Sequence, residues 1–192
     1  GPDRITKHIW EYAGALDRTI SAVGTPEERT DAAYTRDRNG QLRTATDANG
    51  NTTAYSYDGH SRLIRTCYNA NVSACDGNTA PDKFHYVYGS TGNGKGRIIA
   101  QGLRGHSQAI VTQYTYDSLG RVTNVDYPGS GFFDQDISYR YDNLGRMTRA
   151  LDTNTHAIDY TYDALGQVIR QGDSISSFTM RYNPNGTRER LV

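Results

Sequence analysis

Tyr114-Thr115-Tyr116-Asp117-Ser118-Leu119-Gly120-Arg121-Val122 returns as Tyr139-Arg140-Tyr141-Asp142-Asn143-Leu144-Gly145-Arg146-Met147, and again as Tyr160-Thr161-Tyr162-Asp163-Ala164-Leu165-Gly166-Gln167-Val168. Three copies of one nonamer in so short a stretch mark a repeat architecture. In each copy the tyrosines stand two residues apart, so on a strand both rings fall on the same face. Asp follows where the strand ends, and Gly comes three residues later. That spacing matches a type I turn with Asp at its first position and Gly at its fourth. The carboxylate can accept bonds from the turn's own amides, and Gly can take positive φ in the bulge that follows. The next residues, Arg121–Val125 or Arg146–Ala150, read as the returning strand of a hairpin.

Working outward, weaker copies are Tyr34-Thr-Arg36-Asp37-Arg-Asn-Gly40-Gln-Leu42, Tyr55-Ser-Tyr57-Asp58-Gly-His-Ser61-Arg-Leu63 and a terminal Met180-Arg-Tyr182-Asn183-Pro-Asn-Gly186. Trp10-Glu-Tyr12 is a poor one. Measured at the second tyrosine position, with Tyr88 of Tyr86-Val87-Tyr88 included, the steps are 21, 31, 28, 25, 21 and 20 residues. A period near 20 holds two strands and two turns, the second turn being of the kind Asp47-Ala-Asn-Gly50-Asn51. The two longest steps flank Tyr86–Tyr88 and carry insertions rich in Asn, Gly and Ser, near residues 69–82 and 89–96. Residues 1–2, Gly-Pro, read as a tag remnant. Residues 3–33 read as a degenerate first repeat or lead-in, and 34–192 as the repeats proper. No segment shows the 3.6-residue apolar period of a long helix, and Pro26-Glu-Glu-Arg-Thr-Asp-Ala-Ala could form a short helical turn at most. Nine Leu cannot fill a leucine-rich repeat, and no Trp-Asp signature supports a propeller. The expected fold is all-β, a run of consecutive antiparallel hairpins.

Composition agrees and narrows the function. The 192 residues carry 21 Lys plus Arg against 21 Asp plus Glu, so no excess positive charge exists to neutralise a phosphate backbone, and nucleic-acid binding is not expected. Leu, Ile, Val and Phe total only 32, while Tyr numbers 15. Amphipathic rings, which bury a face and keep a hydroxyl paired, must therefore supply much of the burial. No apolar run exceeds three residues, so membrane insertion and a signal-peptide core are not expected either.

Tyr-Asp-x-x-Gly-Arg followed by an aliphatic residue, with Asp-x-x-Gly-Asn-Thr turns between copies, resembles the YD repeat of RHS-type proteins, among them bacterial polymorphic toxins, toxin-complex subunits and wall-associated proteins. The resemblance runs from about residue 30 to 190. It implies a long, spiralling β-sheet that forms part of a hollow shell, enclosing a C-terminal toxin or effector released by a self-cleaving core segment. No such core and no toxin-length segment is recognised in this sequence, so the chain is expected to have no enzymatic activity. The parent protein is expected to be secreted or on the bacterial cell surface. Its expected partners are the remaining repeats, the enclosed effector domain and further copies reached through open sheet edges.

Several motifs look like chemistry. Gly89-Ser-Thr-Gly-Asn-Gly94-Lys95-Gly96 meets the phosphate-loop pattern until its last position, where Gly96 replaces the magnesium-holding Ser or Thr. It reads as a lengthened hairpin loop in which Gly94 is expected to tolerate Ala. Gly105-His106-Ser107-Gln-Ala109 resembles a nucleophile elbow, but Ala stands in place of the final Gly. Asp37, Asp58, Asp117, Asp142 and Asp163 resemble paired acids, yet each holds the same turn position and all must share one role, that of a turn cap. Asp47-Ala-Asn49-Gly-Asn51 lacks the downstream Glu of a calcium loop. The histidines at 8, 60, 85, 106 and 156 have no metal spacing. No cofactor or metal is expected. Seven residues separate Cys67 from Cys75, which fits no zinc or redox pattern; either a disulfide closes the insertion in an oxidising compartment or both are free thiols.

The structural residues are therefore taken to be Tyr55, Tyr57, Asp58, Tyr114, Tyr116, Asp117, Gly120, Tyr139, Tyr141, Asp142, Gly145, Tyr160, Tyr162, Asp163 and Gly166. Two function classes remain. One is a wall segment of an RHS shell around a toxin or effector; the other is a carbohydrate- or cell-surface-binding module that uses the repeated tyrosine faces.

Overall fold

A computed structural model describes residues 5–11, 13–104, 109–129 and 136–189. Among these residues fifteen strands pair antiparallel in one open sheet whose spatial order follows the chain from first strand to last. The chain divides into two compact units, one of residues up to 87 with 101–110, the other of residues 88–100 with 111 onward.

The first unit contains β1 (Lys7–Trp10), β2 (Leu16–Ser21), β3 (Arg29–Arg36), β4 (Leu42–Asp47), β5 (Thr52–Tyr57), β6 (Leu63–Cys67), a short helix α1 (Val72–Asp76) and most of β7 (Lys83–Tyr88). Strands β8 (Ile98–Arg104) and β9 (Ala109–Tyr116) follow. The second unit continues with β10 (Val122–Asp126), β11 (Ile137–Tyr141), β12 (Met147–Asp152), β13 (Ala157–Tyr162), β14 (Val168–Gly172) and β15 (Ser177–Thr179). Period-two alternation and turn chemistry produce this meander, since each hairpin needs only local contacts to form.

Each motif hairpin carries an irregularity of register at its second motif position, between Ser56 and Tyr57, Arg140 and Tyr141, and Thr161 and Tyr162. The extra residue lies on the returning strand, at Ile64, Thr148 and Ile169, and the turn before it holds a residue at positive φ: +64° at Ser61, +86° at Gly145 and +83° at Gly166, with Gly120 at +80° in the Asp117 turn. The poor first copy closes in the same way but two residues earlier than Trp10-Glu-Tyr12 implied: Glu11 stands in the Asp position and Trp10 in that of the second tyrosine, Gly14 donates to the Glu11 carbonyl, and Glu11 donates to Ala15. Pro26 and Glu27 lie in a turn, not a helix.

The insertion near 69–82 is where the structure adds to the sequence. Asn71 caps α1 by accepting from the Ala74 amide at 2.8 Å, and Gly77 ends it by donating to the Ser73 carbonyl. Cys75 on α1 is joined to Cys67 at the end of β6, with Cα atoms 5.7 Å apart. Around the bridge lies the best-buried cluster: Ala54, Cys67 and Cys75 at 0% exposure, Ala80 at 1%. Arg65 fastens the helix end by donating to the carbonyls of Cys75 and Asp76, both at 3.1 Å, and Arg43 pairs with Asp76.

The 89–96 insertion is tighter than its glycines imply. Gly89 donates to Arg97, Gly96 to Gly89 and Arg97 to Gly94, each at 2.9 Å. A methyl added at Gly94 would come within 2.7 Å of the Ile99 Cγ2. The tolerance expected at Gly94 is therefore withdrawn, because a β-branched neighbour has little freedom to move aside. Elsewhere the sheet exposes apolar side chains: Leu119, Leu144 and Leu165, at the turn tips, are 71%, 78% and 84% exposed.

Candidate functional site

The apparent chemical motifs resolve first. Lys95 is followed by two loop residues, Gly96 and Arg97, and then by strand β8, so no helix N-terminus stands where a phosphate would need one. Gly105, His106, Ser107 and Gln108 lie outside the described residues, as does Tyr12 of the poor copy. Among the described residues no group of three His, Cys, Asp or Glu side chains converges on a point that could hold a metal.

The repeated carboxylates share one geometry. Asp117 Oδ1 accepts from the Leu119 and Arg121 amides at 2.9 Å each, while the Gly120 amide donates to the Asp117 carbonyl. Asp58, Asp142 and Asp163 repeat these bonds. Where the fifth turn residue is Arg, its Nε also donates to the second carboxylate oxygen: 2.7 Å for Arg62 on Asp58, 2.6 Å for Arg121 on Asp117 and 2.7 Å for Arg146 on Asp142. The Arg62 side chain, then its amide, draw the Asp58 carboxyl down to about 2. Asp117 is lowered from the ordinary value too, chiefly by the Arg121 amide. At Asp142 burial pushes the other way as the largest single influence, and the bonds from the Arg146 amide and guanidinium outweigh it. A carboxylate held ionised with its oxygens occupied is the opposite of a general acid, whose pKa must be raised.

The same arginine then reaches forward into the next repeat. Arg121 lies over the Tyr141 ring with its guanidinium carbon 4.5 Å from the centroid, and its Nη1 donates to the Asp142 carbonyl at 3.3 Å. Arg146 does this to Tyr162, at 4.5 Å, and to the Asp163 carbonyl, at 3.2 Å. Tyrosine closes the clasp from the other side. The Tyr141 hydroxyl donates back to Val122 at 2.7 Å, Tyr162 to Met147 at 2.6 Å and Tyr182 to Val168 at 2.9 Å. In the first unit Tyr57 donates to Leu42 at 2.9 Å, and Tyr116 donates to Ile98 at 2.6 Å in the second. Burial pushes the Tyr57, Tyr116 and Tyr162 phenols up, keeping them protonated donors.

The two tyrosines of a pair thus differ. The second is spent on the preceding repeat. The first, at Tyr55, Tyr139 and Tyr160, is half-buried on the same face and has no hydroxyl hydrogen bond among the described residues. Sequence reasoning missed the job of Arg36, which stands where other copies have the second tyrosine: its Nη1 donates to the Leu16 carbonyl at 2.8 Å, replacing the phenol. The clue was its place in the motif.

What the arrangement does chemically is join each hairpin to its neighbour through side chains, beyond the backbone ladder. Family comparison gives that joint a name. The RHS Repeat model matches residues 36–67, and the Teneurin YD-shell model matches residues 86–189, more than half the chain. The chain belongs to the RHS/YD-shell family. Its repeats are structural shell repeats. The crystal structure of a TcdB2–TccC3–Cdc42 complex superposes with a TM-score of 0.64 at 18% identity, covering 97% of this chain and 11% of that one. The TcdB2–TccC3 crystal structure gives 0.62 at 18% identity, covering 97% and 11%. A mutant Tc holotoxin pore of Photorhabdus luminescens gives 0.59 at 16% identity, covering 96% and 12%. At such identities the likeness is one of fold, and this YD-repeat chain spans only about a ninth of those proteins. No curated protein matches it in sequence.

Proposed function

We propose that this chain is a wall segment of a larger RHS shell, secreted or displayed at a cell surface, whose lumen encloses a toxin or effector polypeptide. The observation that carries the proposal is the directional clasp: Arg121 and Arg146 each serve the repeat that follows, so the pattern extends a sheet without a natural stopping point. A wall needs that property, whereas a discrete binding domain does not. One of the similar structures supports it, being that of a Tc holotoxin pore. The buried disulfide supports export, because such bonds persist in oxidising compartments. No catalytic role is assigned to any residue.

Protease digestion of the intact parent protein tests the proposal. A region outside the repeats that resists cleavage until the repeat sheet is disrupted is the expected result. Immediate cleavage of every non-repeat region would overturn it. A second proposal, glycan binding, draws on Tyr55, Tyr139 and Tyr160, whose hydroxyls make no hydrogen bond among the described residues. It predicts glycan-array signals lost on Tyr55→Ala or Tyr160→Ala.

A further inference from the structure

The residue that clasps one repeat to the next changes chemistry along the chain. Arg121 and Arg146 each combine an ion pair to their own Asp, a ring contact and a forward hydrogen bond. At position 167 the residue is Gln. There the Asp163 turn has no arginine on its second oxygen, and no guanidinium covers the Tyr182 ring among the described residues. What remains is Gln167 Nε2 donating to the Gly186 carbonyl at 3.3 Å and Tyr182 donating to Val168.

The strand at the same joint is exposed to water. β15 makes three register pairs with β14, as many as β13 makes with β12, and the Met180 amide adds a bond to the Ile169 carbonyl at 2.9 Å, but all three residues of β15 are exposed, unlike those of β13. Beyond it the last copy shows one isolated bridge, Tyr182 with Arg188. Short strands whose hydrogen bonds face water are the parts of a fold that open at low free energy.

A second glutamine joint shows what is missing. Gln41 reaches the Ser61 carbonyl at 3.3 Å, the same reduced clasp between β4 and β5. That joint is bridged by another device, since Arg43 on β4 pairs with Asp76 at the end of α1, and the disulfide fixes α1 to β6. Among the described residues nothing comparable crosses the joint at Gln167.

We propose that the junction of β14 and β15 is a built-in opening point, at which residues 173–189 detach together and re-dock while β11 to β13 stay closed. Opening bares the outer edge of β14, Val168–Gly172, a row of backbone donors and acceptors able to take an extended strand. The proposal concerns this chain's own joints and stands whether or not the parent encloses a cargo.

Hydrogen exchange on the full chain, read by mass spectrometry, tests it. Amides of 177–189 are expected to exchange at least about tenfold faster than those of β13. Because exposed short strands fray in any fold, the variants decide the matter. Gln167→Arg should slow exchange across 168–189 by roughly threefold or more, consistent with an added cation–π contact, and leave β11 and β12 unchanged. Arg146→Gln should speed exchange in β13 and everything after it by a similar factor. Failure of either variant to shift its own segment, or equal exchange in β13 and β15 of the unaltered chain, overturns the proposal.

Discussion

Thr155 holds φ +67° in the Asp152–His156 turn, the place that Gly145 holds at +86° in the Asp142–Arg146 turn. The two turns are closed alike. Thr155 donates to the Asp152 carbonyl at 3.2 Å and Gly145 to that of Asp142 at 3.0 Å, while His156 and Arg146 donate to the carboxylate oxygens at 2.8 and 2.9 Å. A β-branched residue in the left-handed region costs roughly 1–2 kcal/mol. Glycine instead costs about 0.5–1 kcal/mol through the freedom it loses on folding. Thr155→Gly should therefore stabilise the protein by about 0.5–1 kcal/mol. Gly145→Ala should cost about 1 kcal/mol with no clash, since the nearest atom to an added methyl is Arg121 Nη1 at 3.7 Å. Urea and thermal unfolding followed by far-UV circular dichroism measure both. The gain at 155 corresponds to roughly 1–4 °C in melting temperature for a chain of this size. A destabilising Thr155→Gly, or a neutral Gly145→Ala, would refute the assignment of one turn geometry to both sites.

Gly94→Ala should destabilise by about 1–3 kcal/mol, the usual range for overpacking, because its methyl meets Ile99; an unchanged urea midpoint would contradict the packing described. Asp58, Asp117 and Asp142 have folded pKa values below the ordinary 3.8, so they stabilise the fold above about pH 4, and that stability drains away as pH falls toward 2. Urea midpoints should be flat from pH 7 to about 5 and drop below pH 4, and a flat profile down to pH 2 would count against the caps. Reducing the Cys67–Cys75 bridge should lower stability by about 2–3 kcal/mol and raise hydrogen exchange mainly in residues 68–82, whereas a protein whose two thiols alkylate without reductant has no bridge to lose. Among the described residues β1 and β15 are the outermost strands of the order, each with one paired neighbour, so light scattering of this chain should show mass rising with concentration; a strict monomer would mean those edges are blunted.

The hairpins could be read from the sequence because their causes are local. Tyr-x-Tyr places two rings on one face, and Asp-x-x-Gly closes a turn within five residues. What could not be read depends on distance. Which carbonyl Arg146 reaches follows from the register between β12 and β13, which no single repeat encodes. The helix Val72–Asp76 is too short to show a period, and its place comes from an Asn cap and a cysteine bridge. Ser61 and Thr155 take positive φ without glycine, held there by the Asp bonds around them. The leucines at 119, 144 and 165 are apolar yet exposed, because each sits at the tip of an Asp-x-x-Gly turn, where its side chain leaves the face of the strands.

The central claim is that these clasped repeats form one stretch of a container wall. Electron cryomicroscopy of the intact parent protein tests it most directly. The account predicts this sequence within a continuous sheet bordering a closed lumen, with Arg121 over Tyr141, Arg146 over Tyr162, and density for a separate polypeptide segment inside. A map in which the sheet stands free in solvent, bordering no enclosed space, would contradict it.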